Sequence, residues 1–171
     1  MSSSTVLTPA DQPLLVISRS FDAPRELVWR CYTDPVHLVH FWAPKGAKVG
    51  VSQLDLRVGG TWRQVMVFPG GNEYGYTSIY LEITSSERLV WRDAPDDAKF
   101  GDTLPPVTIL TILTTMTLSE AGGRTTVEVN VRFNSVAERD ENVRRGFSGV
   151  VTDSNDKLAD YLATLISTSE A

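Results

Sequence analysis

The sequence predicts an α+β domain in which a curved antiparallel sheet wraps around a long C-terminal helix, with two short helices after the first strand. Three observations carry this. Segments with period-two alternation follow one another through the middle of the chain. Helical periodicity is confined to a short region after the first strand and a long one near the C-terminus. Antiparallel strands with their helices segregated to one face form a two-layer domain.

Met1 to Pro13 is rich in Ser, Thr and Pro and is expected to be a mobile tail. One domain is expected over residues 14–167, with a second tail at 168–171. "LLVISRSF" (Leu14 to Phe21) is β-branched and apolar, and reads as the first strand. In "DAPRELVWRCYT", Asp22 suits an N-cap, Pro24 the first turn, and Leu27, Val28, Cys31 and Tyr32 recur at helical spacing. A second short turn carries His37 to Trp42 before Pro44 ends it. Strands follow in "KVGVSQLDLRV", "TWRQVMVF", "YGYTSIYLEI" and "RLVWRD", the last two joined by the tight "TSSE". The loop from Asp93 to Pro106, long enough to suggest a functional role, precedes "VTILTILTTMTLSE" and "RTTVEVNVRF". In the last strand Val127, Val129, Val131 and Phe133 face one way and Thr126, Glu128, Asn130 and Arg132 the other. A single helix is expected from Val136 to Ile166, with Gly146 and Gly149 inside it and Ser154 interrupting its apolar stripe.

The composition excludes several functions. At 171 residues, 42% hydrophobic and 22% charged, the chain is an ordinary globular domain. A net charge of −5 and no run of four Lys or Arg give no positive field for nucleic acid, which is not expected as a partner. No window approaches the ~18 apolar residues of a membrane span, so membrane insertion is not expected. Without a signal-peptide pattern, the expected location is cytoplasmic. Cys31 is the sole cysteine and reads as a small buried apolar residue.

A curved sheet around a helix bearing glycines and small residues leaves interior volume, which is the shape of a ligand cavity. Trp62, Gln64, Met66 and Phe68 share a strand face and would line it, with one amide to orient a ligand. Tyr76 and Tyr80 lie together on another strand face. Trp42, Phe147 and Val151 would close the cavity from the helical side, and Phe100 would ride on a gating loop. The bland alternative is a filled core with Gln64 bonded to backbone and ordinary sheet-face tyrosines. His37 and His40 could share a helix face, but nothing completes a metal set, so neither metal nor cofactor is expected. "GFSGV" lacks nucleophile-elbow spacing, and no catalytic residue is assigned. Glu82 and Arg92 are expected to pair across neighbouring strands.

"FDAPRELVWRCYTDP", "HFWAP", "DLRVGGTWRQVMVFPGG" and "YLEITSSERLVW", in that order, resemble the activator of heat-shock-protein-90 ATPase homologue family, within the START-like superfamily of polyketide cyclases and lipid-transport proteins. "AERD", Gly146 and "SNDKL" resemble the ending of bacterial members. The resemblance runs from about Leu14 to Leu165 and implies the helix-grip fold with an internal pocket for a small apolar or amphipathic molecule. Phe41 stands where the family often has Trp, Ala43 and Ser78 at or near family glycines, and Val150 where a second helix glycine is usual. These departures alter pocket shape rather than chemistry. The expected function is therefore binding of a small hydrophobic or aromatic ligand. A cyclase- or dehydratase-like enzyme is the alternative. A chaperone accessory role is a minor one, because a chain of this length has no room for the activators' separate chaperone-binding domain. A homodimer is left open.

Overall fold

A computed structural model describes residues 3–93 and 113–170. Its elements are β1 (Thr5–Leu7), β2 (Leu14–Phe21), α1 (Arg25–Thr33), α2 (Pro35–Leu38), β3 (Lys48–Leu54), β4 (Thr61–Val67), β5 (Glu73–Thr84), β6 (Arg88–Asp93), β7 (Leu113–Ala121), β8 (Arg124–Arg132), α3 (Val136–Arg144) and α4 (Phe147–Glu170). The strands form one antiparallel sheet in the order β1-β2-β8-β7-β6-β5-β4-β3. The early strand β2 therefore lies against the late strand β8, with Leu15 opposite Val131 and Ile17 opposite Val129.

Period-two alternation assigns the faces. Leu15, Ile17 and Phe21 of β2, Met116 and Leu118 of β7, and Val127, Val129 and Val131 of β8 are buried in one continuous core. Across the sheet, Trp62, Tyr80, Leu89 and Trp91 extend it. The outward residues of β8, Thr126, Glu128 and Arg132, are exposed, as their alternation predicts. The buried residues of α4, Val151, Ser154, Asn155, Leu158 and Leu162, recur at three- and four-residue steps and join Val28, Cys31 and Tyr32 of α1 in covering the inner face. The expected architecture is thus present. Among the described residues, no helix is long and apolar enough to cross a membrane.

Several local expectations change. The C-terminal helix is two helices, because Gly146 adopts φ +95° and ends α3, donating its N–H to Val143 O at 3.0 Å. Ser135 caps α3 by accepting from the Glu138 N–H at 3.0 Å, half of a capping box. α4 continues through Glu170, across part of the segment expected as a tail. At the other end, Thr5–Leu7 pairs with Val16–Ser18 instead of remaining free. Arg139 fixes the next stretch, donating one Nη to the carbonyls of Pro9, Gln12 and Leu14 at 2.8–2.9 Å. Asp22 does not cap α1; it pairs with Arg124 at 2.8 Å, and the Glu120 carboxylate accepts the Arg25 N–H at 2.6 Å. Glu82 pairs with Arg88, not Arg92, because a register shift after Tyr80 sets Glu82 opposite Val90.

The two glycines flanking Phe147 should respond oppositely to alanine. Gly146 needs a positive φ, whereas a Cβ on Gly149 would meet nothing within 4 Å. Gly146→Ala is expected to cost about 1 kcal/mol or more and Gly149→Ala to gain up to about 1 kcal/mol. Thermal unfolding would show melting shifts of roughly 2–4 °C in opposite directions.

Candidate functional site

The interior between the sheet and α4 is bounded on one side by a chain of aromatic rings. The Trp42 and Trp62 centroids are 5.6 Å apart, and Trp62 meets Trp91 edge-on at 5.8 Å. Tyr32 meets Phe41 at 5.2 Å and Trp42 at 5.9 Å, both edge-on. Rings held edge-to-face gain somewhat more than their buried area alone supplies. The wall thus combines α1, the segment after α2, β4 and β6.

Gln64 lies behind this wall with no exposed surface. Its Nε2 donates to Trp42 O at 2.8 Å, and its Oε1 accepts from Ser52 Oγ at 3.1 Å and Trp62 Nε1 at 3.2 Å. The amide therefore holds the wall in place; these bonds occupy the groups expected to orient a ligand. Of the other residues expected to line the cavity, Trp42, Trp62, Tyr80 and Val151 sit in the main core. Phe147 packs against that core and meets Phe133 edge-on at 5.6 Å. Met66 and Phe68 belong instead to a smaller cluster with Ala43, Ala47 and Val49. The backbone of Tyr76 pairs opposite Gln64. Phe100, the gating loop apart from Asp93, and residues 107–112 of the strand expected after it lie outside the described residues.

α4 grips the segment after the wall through polar contacts. Lys157 Nζ donates to Pro44 O at 2.9 Å and Ala47 O at 3.0 Å, and the Asp153 carboxylate accepts the Lys45 N–H at 2.9 Å. Fully buried Ser154 donates to Val150 O at 2.6 Å and stands 3.5 Å from Ala43 O. The two histidines converge on Tyr161: His37 Nδ1 is 2.6 Å from its hydroxyl, and His40 stacks on its ring with centroids 4.6 Å apart. They join α2 to α4.

Polar groups also enter the core. Arg19 projects inward from β2 between Ile17 and Phe21, ion-paired with Asp156 of α4 and lying over the Phe21 ring at 5.6 Å. Burial would raise the Asp156 pKa, but Arg19 and Lys45 outweigh it and hold the carboxyl below its usual range. Burial pushes the Tyr32 and Tyr80 phenols well above their ordinary value, with Cys31 adding to the effect at Tyr32 and Arg19 opposing it. Sequence reasoning did not place Arg19, Tyr32, Trp91 or Asn155 in the site. For Arg19 the signal was available: its phase in "LLVISRSF" puts a cation on the apolar face. The outer face of the sheet carries a separate open concavity of about 350 Å³, bordered by Arg88, Thr117, Glu128 and Arg132. Its polar rim does not suit an apolar ligand.

The family model described as Activator of Hsp90 ATPase homolog 1-like protein matches residues 22–163. A crystal structure of a Mycobacterium smegmatis protein superposes with a TM-score of 0.82 at 21% identity, covering 96% of this chain and 99% of that one. A Rhodobacter sphaeroides protein gives 0.80 at 21% identity, over 95% of this chain and 99% of its own. A Chromobacterium violaceum protein gives 0.68 at 26% identity, over 87% and 96%. No curated protein matches the sequence.

Two measurements test this geometry. Gln64→Leu removes three hydrogen bonds, two of them buried, and is expected to cost about 2–3 kcal/mol in urea unfolding. Burial pushes the Cys31 thiol up to about 12, so a thiol-reactive disulfide at pH 8 should react only with unfolded protein.

Proposed function

The chain belongs to the family of Activator of Hsp90 ATPase homolog 1-like proteins, and on that premise we propose that it holds a small hydrophobic or aromatic molecule between the sheet and α4. One observation carries this reading: large rings wall the interior, and the helix packed over it carries small residues. Trp42, Trp62 and Trp91 form a wall, while α4 presents Ser154 beside Ala43 and, near its start, Gly149 with open space beyond it. Apolar area at ~25 cal/mol per Å² would supply the affinity. A cytoplasmic setting belongs to the same reading, which asks nothing of the one cysteine, Cys31, free and buried in the core.

The state of the phenols favours binding over proton transfer. A general acid works best with a pKa near the working pH, and burial moves Tyr32 and Tyr80 away from it. Both hydroxyls stay protonated. A second reading, an accessory protein for a chaperone, draws on exposed Leu56, Val58 and Leu81, which flank the 2.8 Å bond from the Gly59 N–H to Tyr80 O.

Native mass spectrometry of protein purified from its own host, followed by denaturation and identification of what is released, tests the first reading. A stoichiometric apolar molecule is expected, with Trp62→Ala reducing its occupancy at least several-fold. Protein that emerges empty and fails to bind added hydrophobic probes would overturn the binding reading.

A further inference from the structure

Four buried side-chain atoms among the described residues have no hydrogen-bond partner: Arg19 Nε, Tyr32 Oη, Glu138 Oε1 and Asn155 Oδ1. Arg19, Tyr32 and Asn155 are 9%, 5% and 2% exposed, so three of the four atoms belong to side chains more than nine-tenths buried. A polar atom kept from both water and protein is costly, and native interiors contain few of them.

These three residues lie in one region. Arg19 pairs with Asp156, the neighbour of Asn155 on α4. Asn155 Nδ2 donates at 3.0 Å to Ser4 Oγ, and Ser4 precedes Thr5, which pairs with Ser18 beside Arg19. From α1, Tyr32 comes close enough for the Arg19 charge to act on its hydroxyl. Its ring meanwhile rests against Phe41 and Trp42, at the end of the aromatic wall. Tyr32 thus carries one of the unpaired groups at the end of that wall, with Arg19 near enough to act on it.

Charge and donor count limit what can end there. Arg19 and Lys45 both pair with Asp156, the latter at 3.4 Å, so the Arg19 guanidinium is already matched by a carboxylate. An added anion at Arg19 would have to compete with Asp156 for that charge on leaving water. Arg19 Nε–H can only donate, and the protonated Tyr32 phenol can donate as well. Two donors match the two lone pairs of one carbonyl oxygen. We propose that the interior ligand carries an uncharged carbonyl on an apolar or aryl body, its oxygen seated between Arg19 Nε–H and the Tyr32 hydroxyl. This rests on the binding reading above. Asn155 Oδ1 supplies an acceptor for a hydroxyl on the same molecule or for a bridging water.

Three probes of nearly equal shape test this by quenching of tryptophan fluorescence: 2-acetylnaphthalene, 2-ethylnaphthalene and 2-naphthoate. The ketone is expected to bind about tenfold more tightly than the ethyl compound, and more tightly than the carboxylate. Tyr32→Phe and Arg19→Lys should each remove most of that preference, read as the ratio of the two affinities within the same variant. The infrared carbonyl stretch of the bound ketone should fall in the native protein and return towards its apolar-solvent position in Tyr32→Phe. Tyr32→Phe discards a hydroxyl without a partner, so it should fold at least as stably as the parent; a lower melting temperature would overturn the proposal. Equal binding of ketone and ethyl compound would overturn the carbonyl seat and leave the binding reading standing. Preference for the carboxylate would do the same, in favour of an anion site. If none of the three binds, both readings fall together.

Discussion

The fold depends on seating α4 across the inner face of a sheet that cannot bury that face alone. Apolar contact supplies most of the attraction, through Val151, Leu158 and Leu162 against the core. Polar contacts fix the position. Arg19 holds Asp156 from the β2 side, while Lys157, Asp153 and Ser154 hold the Ala43–Ala47 segment from the other. Apolar packing is non-directional, so these bonds select one placement among many of similar area. The aromatic wall inherits that placement, because Trp42 immediately precedes the gripped segment and is itself bonded through its carbonyl to Gln64.

Much of this was legible in the sequence because alternation and helical spacing are local signals. The faces of β4 and β8 followed from period two, and the buried stripe of α4 from its three- and four-residue steps, with Ser154 as the visible interruption. Events between distant residues were not legible. The helix break at Gly146 could have been read, because glycine is what a positive φ requires, but apolar periodicity on both sides argued for continuity. β1 is three residues long and depends on an open edge of β2 and on Arg139, more than a hundred positions away. Residues 1–13 by themselves carry no sign of either.

The candidate site shows the same division. Trp42, Trp62, Tyr80 and Val151 were found because they are large or apolar and in phase with buried faces. Gln64 was found for the right reason, as an amide among rings, but its partners were hidden: three hydrogen bonds make it a brace for the wall. Met66 shares its strand and Phe68 follows just after it, yet the Ala43–Ala47 segment draws them into a separate cluster. Which buried group keeps a vacant hydrogen bond depends on what all its neighbours do, and no local pattern encodes that.

The pairing of β2 with β8 also governs how the chain can acquire its shape. Ser20 and Thr126, joined by a 2.8 Å side-chain hydrogen bond, are 106 positions apart. On a ribosome making the chain from its N-terminus, β2 emerges with only the short β1 as a local partner. The edge that β8 occupies has no partner until Arg124–Arg132 is made, and α4, which packs over the apolar face of β2, follows later still. Contacts of such long sequence separation are slow to form, and an unpaired strand edge is prone to wrong pairings in the interval. The same topology that closes the interior in the finished molecule therefore makes the nascent chain vulnerable until its last strand appears.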